Sequence, residues 1–310
     1  MLYAIGAPRN RRATPGSPRN RRATPGSPRN RRATPGSPRN RCLTALVPAS
    51  ETAARMILPG LSSDTFRTLA PKRIVELVQA AGLGGIEWQD ESHCPVGNLD
   101  AASRARNVTE EAGLAVISYA VDAPITAENG NDLAVIVRTA AELGAGAIRV
   151  RAGDRPLDEA NDEERNSVAA RIAECVGRAE ALGLMVAVGL HPYSHAATGS
   201  EAFELLQRAG APTAQVFWRP PERPEIEADV RDLELISESV LGLHAGGVSR
   251  AIGTTMLSEA TDRWARYLAI LSGHDDDFWV CIRGVENASV EAFYRDAQTL
   301  RLLTHKYGGE

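Results

Sequence analysis

One pattern constrains the fold of this chain more than any other. From residue 56 onward, a short apolar run followed by a loop and a helical segment occurs eight times. The run from Met185 to Leu190 is continuous rather than alternating, which is typical of a parallel strand covered on both faces. Eight such units close most simply into a single (β/α)8 TIM barrel of the α/β class. A doubly wound sheet is the alternative, but the first strand lacks the glycine-rich phosphate turn that such sheets usually carry.

The boundaries follow from apolar periodicity and from the glycines that end most of the helical segments. The predicted strands lie at about 57–61, 85–88, 115–119, 147–151, 185–192, 214–218, 240–244 and 278–282. The predicted helices lie at about 71–81, 99–112, 131–143, 162–182, 200–209, 225–239, 261–271 and 290–304. This pattern assigns residues 56–310 to the barrel.

Residues 1–55 have a different character. A decapeptide with two Pro, one Gly and three Arg repeats three times and begins a fourth time, so the segment carries twelve Arg and one acid. It has no apolar face to bury and is predicted to be a disordered arm. Two interpretations stay open: a basic arm for nucleic acid or another acidic surface, and an over-extended gene start with the working protein beginning at Met56.

The remaining 255 residues contain 23 basic and 38 acidic residues. This acidic balance argues against nucleic acid as a partner of the barrel. No apolar run reaches the roughly 20 residues of a membrane helix, and the four cysteines show no paired spacing, which favours reduced thiols. We therefore expect a cytoplasmic protein with a small-molecule partner and no membrane partner. A homo-oligomer is compatible with these features.

The active end of a TIM barrel is the carboxyl end of its strands. Glu87 and His191 end strands and are the predicted acid–base residues, with a salt bridge from Glu87 to Arg149 as the alternative for the carboxylate. The predicted substrate-binding residues combine aromatic faces, which suit a sugar ring, with imidazoles and guanidinium groups, which suit an anion: Trp88, His93, Tyr119, Arg149, Arg151, Trp218, Arg219, His244 and Arg283. His195, His274 and His305 are expected to be solvated.

Five motifs in order resemble the sugar phosphate isomerase/epimerase family, the xylose isomerase-like TIM barrels. They are Gly60–Phe66, Gly85–Trp88 with His93 and Pro95, Ile148–Val150, Leu190–Pro192 and Phe217–Pro221. The resemblance covers about residues 56–303. It implies a barrel that acts on a small sugar or sugar phosphate by proton transfer between adjacent carbons.

The resemblance also implies one divalent metal, Mn²⁺, Mg²⁺ or Zn²⁺, held by glutamates that end the fifth and eighth strands. This sequence has Gly189 and Arg283 at those positions, so the usual site is expected to be lost and no cofactor is expected. If a metal is bound, His191 and His244 are its candidate ligands. A register slip would place Glu286 in the second position, but the start of the last helix favours Arg283.

Two hypotheses follow. The first is a sugar or sugar phosphate isomerase or epimerase with a rebuilt site around Glu87, His191 and His244. The second is a catalytically degenerate barrel that binds a small anionic sugar or acid through Arg151, Arg219 and Arg283. A third, a nuclease acting on abasic DNA, needs a metal cluster and a basic face and is disfavoured by the composition of the barrel.

Overall fold

The computed structural model describes residues 56–126, 132–221, 226–246, 256–273 and 276–308. The predicted arm at 1–55, including Cys42, lies outside these residues, as does His274. Eight parallel strands form a closed barrel in chain order, and β1 pairs with β8 to close it. The predicted (β/α)8 TIM barrel is confirmed.

The strands are β1 (Ile57–Ser62), β2 (Gly85–Gln89), β3 (Ala115–Ile125), β4 (Ala147–Ala152), β5 (Met185–Gly189), β6 (Gln215–Trp218), β7 (Val240–Ala245) and β8 (Phe278–Ile282). The helices are α1 (Pro71–Ala80), α2 (Leu99–Glu111), α3 (Leu133–Leu143), α4 (Asp162–Glu180), α5 (Gly199–Ala209), α6 (Ile226–Ile236), α7 (Thr261–Leu271) and α8 (Val290–Tyr307). All but one of these elements end within about three residues of the sequence prediction.

Strand β3 is the exception, because it continues six residues beyond the predicted end at Tyr119. Its pairing with β4 shifts register between Val121 and Pro124. Irregular pairing is where a strand tolerates proline. The extension carries Asp122 to the carboxyl end of the barrel, which we call the mouth.

Two apolar cores support the mouth. The larger core lies between the strands and the helices. The smaller core fills the inside of the barrel with the side chains of Ile117, Ala147, Ala187, Phe217, Leu241, Trp279 and Cys281. Because side chains alternate along each strand, the next inward position beyond Ala147 is Arg149 and the next beyond Ala187 is Gly189. The polar layer at the mouth therefore rests on a packed apolar floor.

The described residues include three of the four cysteines and all eight helices. Cys94, Cys175 and Cys281 are free and buried. Among the helices of the described ranges, none combines the length and apolar character needed to cross a membrane.

Candidate functional site

Glu87 is the buried centre of the polar layer. In the strand register it lies between Ser62 and Ser118, and each serine hydroxyl donates a hydrogen bond of 2.9 Å to one carboxylate oxygen. Arg149 Nε donates to Oε2 at 2.9 Å, and His244 Nε2 lies 2.8 Å from Oε1. Each carboxylate oxygen therefore has two partners, and the carboxylate has little capacity left for a substrate.

The protonation states of this layer follow from burial and charge. Burial raises the pKa of Glu87, but Arg149 and then His244 outweigh it, so that pKa lies well below its ordinary value. Burial lowers the pKa of His244 to about 4 despite the neighbouring carboxylate. At neutral pH the pair is thus a carboxylate that accepts a hydrogen bond from a neutral imidazole, which packs on Phe217 with ring centroids 4.4 Å apart.

Six alternating charges run across the mouth from this carboxylate, and we call them the charge chain: Glu87, Arg149, Asp122, Arg283, Asp64 and Arg67. Arg149 Nη2 lies 3.4 Å from Asp122 Oδ1, and Arg283 Nη2 lies 3.6 Å from Asp122 Oδ2. Arg283 Nη2 also lies 3.2 Å from Asp64 Oδ2, and Arg67 Nε lies 2.5 Å from Asp64 Oδ1. Three acids and three guanidinium groups leave the chain with no net charge.

The arginines of the charge chain also set the pKa of Asp122. Burial raises the pKa of Asp122, but Arg149 and Arg283 outweigh it and hold that pKa below its ordinary value. The sequence pattern predicts no function for Asp122, because it lies beyond the predicted end of the third strand. Asp64 lies in the motif Gly60–Phe66, but only the closed barrel places it beside Arg283.

Gly189 makes room for the charge chain. A Cβ atom at this position would lie 2.9 Å from Arg149 Nη1, closer than real Cβ contacts, and 3.1 Å from Arg149 Cδ, tighter than most of them. The Arg149 side chain therefore crosses the space that a side chain on β5 would occupy. The missing acid at Gly189 and the buried arginine on β4 are two parts of one arrangement.

His191 lies in the loop after β5, beside several guanidinium groups. The backbone N–H of Tyr193 donates to His191 Nδ1 at 3.1 Å, so the neutral ring carries its proton on Nε2. Burial, followed by Arg151 and Arg219, lowers the pKa of His191 to about 4. Arg151 Nη2 donates to the carbonyl of Tyr193 at 2.7 Å. The loop thus fixes an imidazole N–H donor and a guanidinium on the same side of the mouth.

The predicted aromatic residues lie elsewhere. Trp88 donates to Thr109 Oγ1 on α2 at 3.2 Å, and Trp218 lies between Asp232 on α6 and Tyr267 on α7. Both indoles are fully buried between the barrel wall and the helices. Tyr119 is buried too, and its hydroxyl donates to the carbonyl of Cys94. The structure does not bring these three rings to the charge chain, because they alternate with the inward-facing residues of their strands.

The remaining candidate residues, three histidines and Glu286, lie outside the charge chain. His93 is buried, and its Nε2 lies 3.2 Å from the carbonyl of Leu69 in the loop before α1. His305 is exposed as expected, but His195 is only 2% exposed, so its expected solvation is wrong. The loop after β5 folds inward there, because the His195 amide donates to the carbonyl of Ala152 on β4. Glu286 pairs with Arg295, 3.5 Å away on α8, so Arg283 is the residue that reaches the charge chain.

Comparison with known proteins identifies solved structures with the same barrel fold. No family model and no curated protein matches the sequence. Among solved structures, the chain is similar to the probable 3-DHS dehydratase AsbF from Bacillus anthracis, with a TM-score of 0.65 and 16% identity over 79% of this chain and 99% of that one. The chain therefore has the fold of the xylose isomerase-like TIM barrels.

Two further structures extend this likeness. A xylose isomerase domain protein from Alicyclobacillus acidocaldarius has a TM-score of 0.63 and 14% identity over 82% of this chain and 100% of that one. D-allulose 3-epimerase from Methylomonas sp. has a TM-score of 0.62 and 13% identity over 82% and 100%. At these identities the likeness establishes the fold.

The described residues at the mouth do not fit a divalent metal. In the described ranges, no group of three or more His, Cys, Asp or Glu side chains is arranged to hold one. The acids of the charge chain instead face guanidinium groups, and the Nε2 atom of His244 faces Glu87. A hard cation prefers carboxylate oxygens, and it would be repelled by the arginines already among them.

Proposed function

We propose that the protein binds a small anionic sugar or sugar acid at the mouth of the barrel. The observation that carries this proposal is the convergence of His191 and three guanidinium groups: burial, followed by Arg151, Arg219 and Arg283, lowers the pKa of the imidazole. Planar guanidinium groups and a neutral imidazole N–H are donors suited to phosphate or carboxylate oxygens. Glu87 then acts as a buried anchor for Arg149 rather than as a base.

The proposal predicts a preference for charged ligands. Calorimetric titration of the full chain with sugar phosphates and aldonic acids, each beside its uncharged parent sugar, should show binding only of an anionic member. Arg151→Met should weaken that binding by roughly 10- to 100-fold, because a charge-assisted hydrogen bond contributes about 1.5–3 kcal/mol.

The matched control is Arg73→Met, which removes a guanidinium that is exposed on α1 and pairs with Glu76. It should leave the Kd unchanged. Equal affinity for a sugar and its phosphate, or an unchanged Kd in Arg151→Met, would overturn the proposal.

The second candidate is isomerase or epimerase chemistry on the same ligand, which the likeness to D-allulose 3-epimerase favours. The catalytic base in this proposal is Asp122. Its side chain is 23% exposed, and its negative charge opposes the lowering of the His191 pKa. Ionised Asp122 would remove a proton next to a carbonyl, and His191 Nε2–H would donate to the carbonyl oxygen.

Proton transfer of this kind can be observed directly. A keto-sugar phosphate that binds should take up deuterium from D2O at the carbon next to the carbonyl, as followed by NMR. Asp122→Asn should slow the uptake by about 10²-fold or more, while Glu76→Gln on the surface of α1 should not. Binding without deuterium uptake would restrict the function to binding.

A further inference from the structure

The charge chain contains two guanidinium groups in positions where carboxylates converge. Arg149 contacts Glu87 and Asp122, and Arg283 contacts Asp122 and Asp64. Asp122 is shared, since Arg149 and Arg283 approach its two different oxygens. Converging carboxylates repel one another unless a cation lies between them, and these guanidinium groups lie between the three acids.

The surroundings of the guanidinium groups are built for this arrangement. Arg149 is only 3% exposed, and its stem crosses Gly189, where any side chain would collide with it. Ser62, Ser118 and His244 occupy the other lone pairs of Glu87. Arg283 is held by Asp64 through both its Nε and Nη2 atoms. The cations are therefore fixed in place by the fold rather than drawn from solution.

We propose that Arg149 and Arg283 form a built-in cation centre for Glu87, Asp122 and Asp64, so that removing either guanidinium turns the same carboxylates into a divalent-cation site. The parent protein then has a mouth that needs no metal and resists chelators. The inference concerns charge compensation within the chain and stands independently of the proposed ligand.

Thermal unfolding with and without Mn²⁺ tests this inference. The parent chain should have the same Tm in EDTA and in MnCl2. Arg149→Met and Arg283→Met should each have a lowered Tm in EDTA, because carboxylates lose their counter-charge. Mn²⁺ at about one hundred times its Kd should then raise the Tm of each variant by roughly 5–10 °C, and elemental analysis should find about one Mn²⁺ per chain.

Arg151→Met is the matched control, since Arg151 lies on the same strand and bonds the carbonyl of Tyr193. Its Tm should not respond to Mn²⁺. Arg283 has a side chain 17% exposed at the rim, so Arg283→Met keeps the test decisive if Arg149→Met does not fold. A parent chain stabilised by one bound Mn²⁺, or an Arg283→Met variant that ignores Mn²⁺, would overturn the inference.

Discussion

Gly189 and Arg149 are a matched pair of residues. Glycine usually appears inside a strand where another group approaches closely, and here that group is the stem of a buried arginine. The arginine in turn bonds Glu87 at 2.9 Å. A neutral glycine at a strand end thus decides where a buried positive charge can lie.

This pairing predicts that Gly189→Ala destabilises the fold. The new Cβ would force the Arg149 side chain out of its hydrogen bonds, and such overpacking costs about 1–3 kcal/mol. Urea unfolding at pH 7 measures the free energy of unfolding. Gly177→Ala on α4 is the control, because a Cβ atom on this exposed glycine would meet no other group of the described residues within 4 Å. Alanine should stabilise the helix there by roughly 0.5–1 kcal/mol.

A double variant isolates the cause. In Arg149→Met the collision partner is shorter and uncharged, so adding Gly189→Ala to it should cost less than adding it to the parent chain. Additive effects of the two changes would show that the glycine is needed for another reason.

Strand β3 shows how one element controls the composition of the site. The predicted strand ends at Tyr119, and Asp122 and Pro124, which lie beyond that end, are of residue types depleted in strands. The register shift against β4 accommodates them and extends the strand to Ile125. Without that extension Asp122 would not lie between Arg149 and Arg283, and the charge chain would be broken at its middle.

The loop after β5 is a second such element. The backbone N–H of Tyr193 fixes the tautomer of His191. The backbone carbonyl of Tyr193 accepts a hydrogen bond of 2.7 Å from Arg151 Nη2. The Tyr193 side chain itself is 56% exposed. The Tyr193 ring also contacts the His191 ring, with centroids 6.0 Å apart, so both the backbone and the side chain of residue 193 touch the imidazole.

The charge distribution of the whole barrel predicts how its stability depends on pH. The pKa values of His191 and His244 lie at about 4, against an ordinary value of 6.5. Between these values the unfolded chain binds more protons than the native one, so the free energy of unfolding should fall as the pH is lowered from 6.5 towards 4. Below about pH 4 these two groups should add no further loss.

Urea unfolding between pH 7 and 4 measures this slope. His191→Gln should reduce it, since this variant lacks one of the two groups, whereas His305→Gln on the exposed face of α8 should keep the slope of the parent chain. A slope unchanged by His191→Gln would mean that this imidazole titrates alike in the folded and unfolded chains.

The sequence by itself determined the eight strand–helix units and their closure into a barrel, because apolar periodicity and helix-ending glycines are local signals. It also placed Arg149 at a strand end, and the family resemblance marked Gly189 and Arg283 as replacements of the usual glutamates. Only the tertiary structure decided that Glu87 has four partners, that Asp122 joins two arginines and that Trp88 and Trp218 face the helices. These facts depend on strand register and side-chain direction, which arise when segments distant in the chain pair with one another.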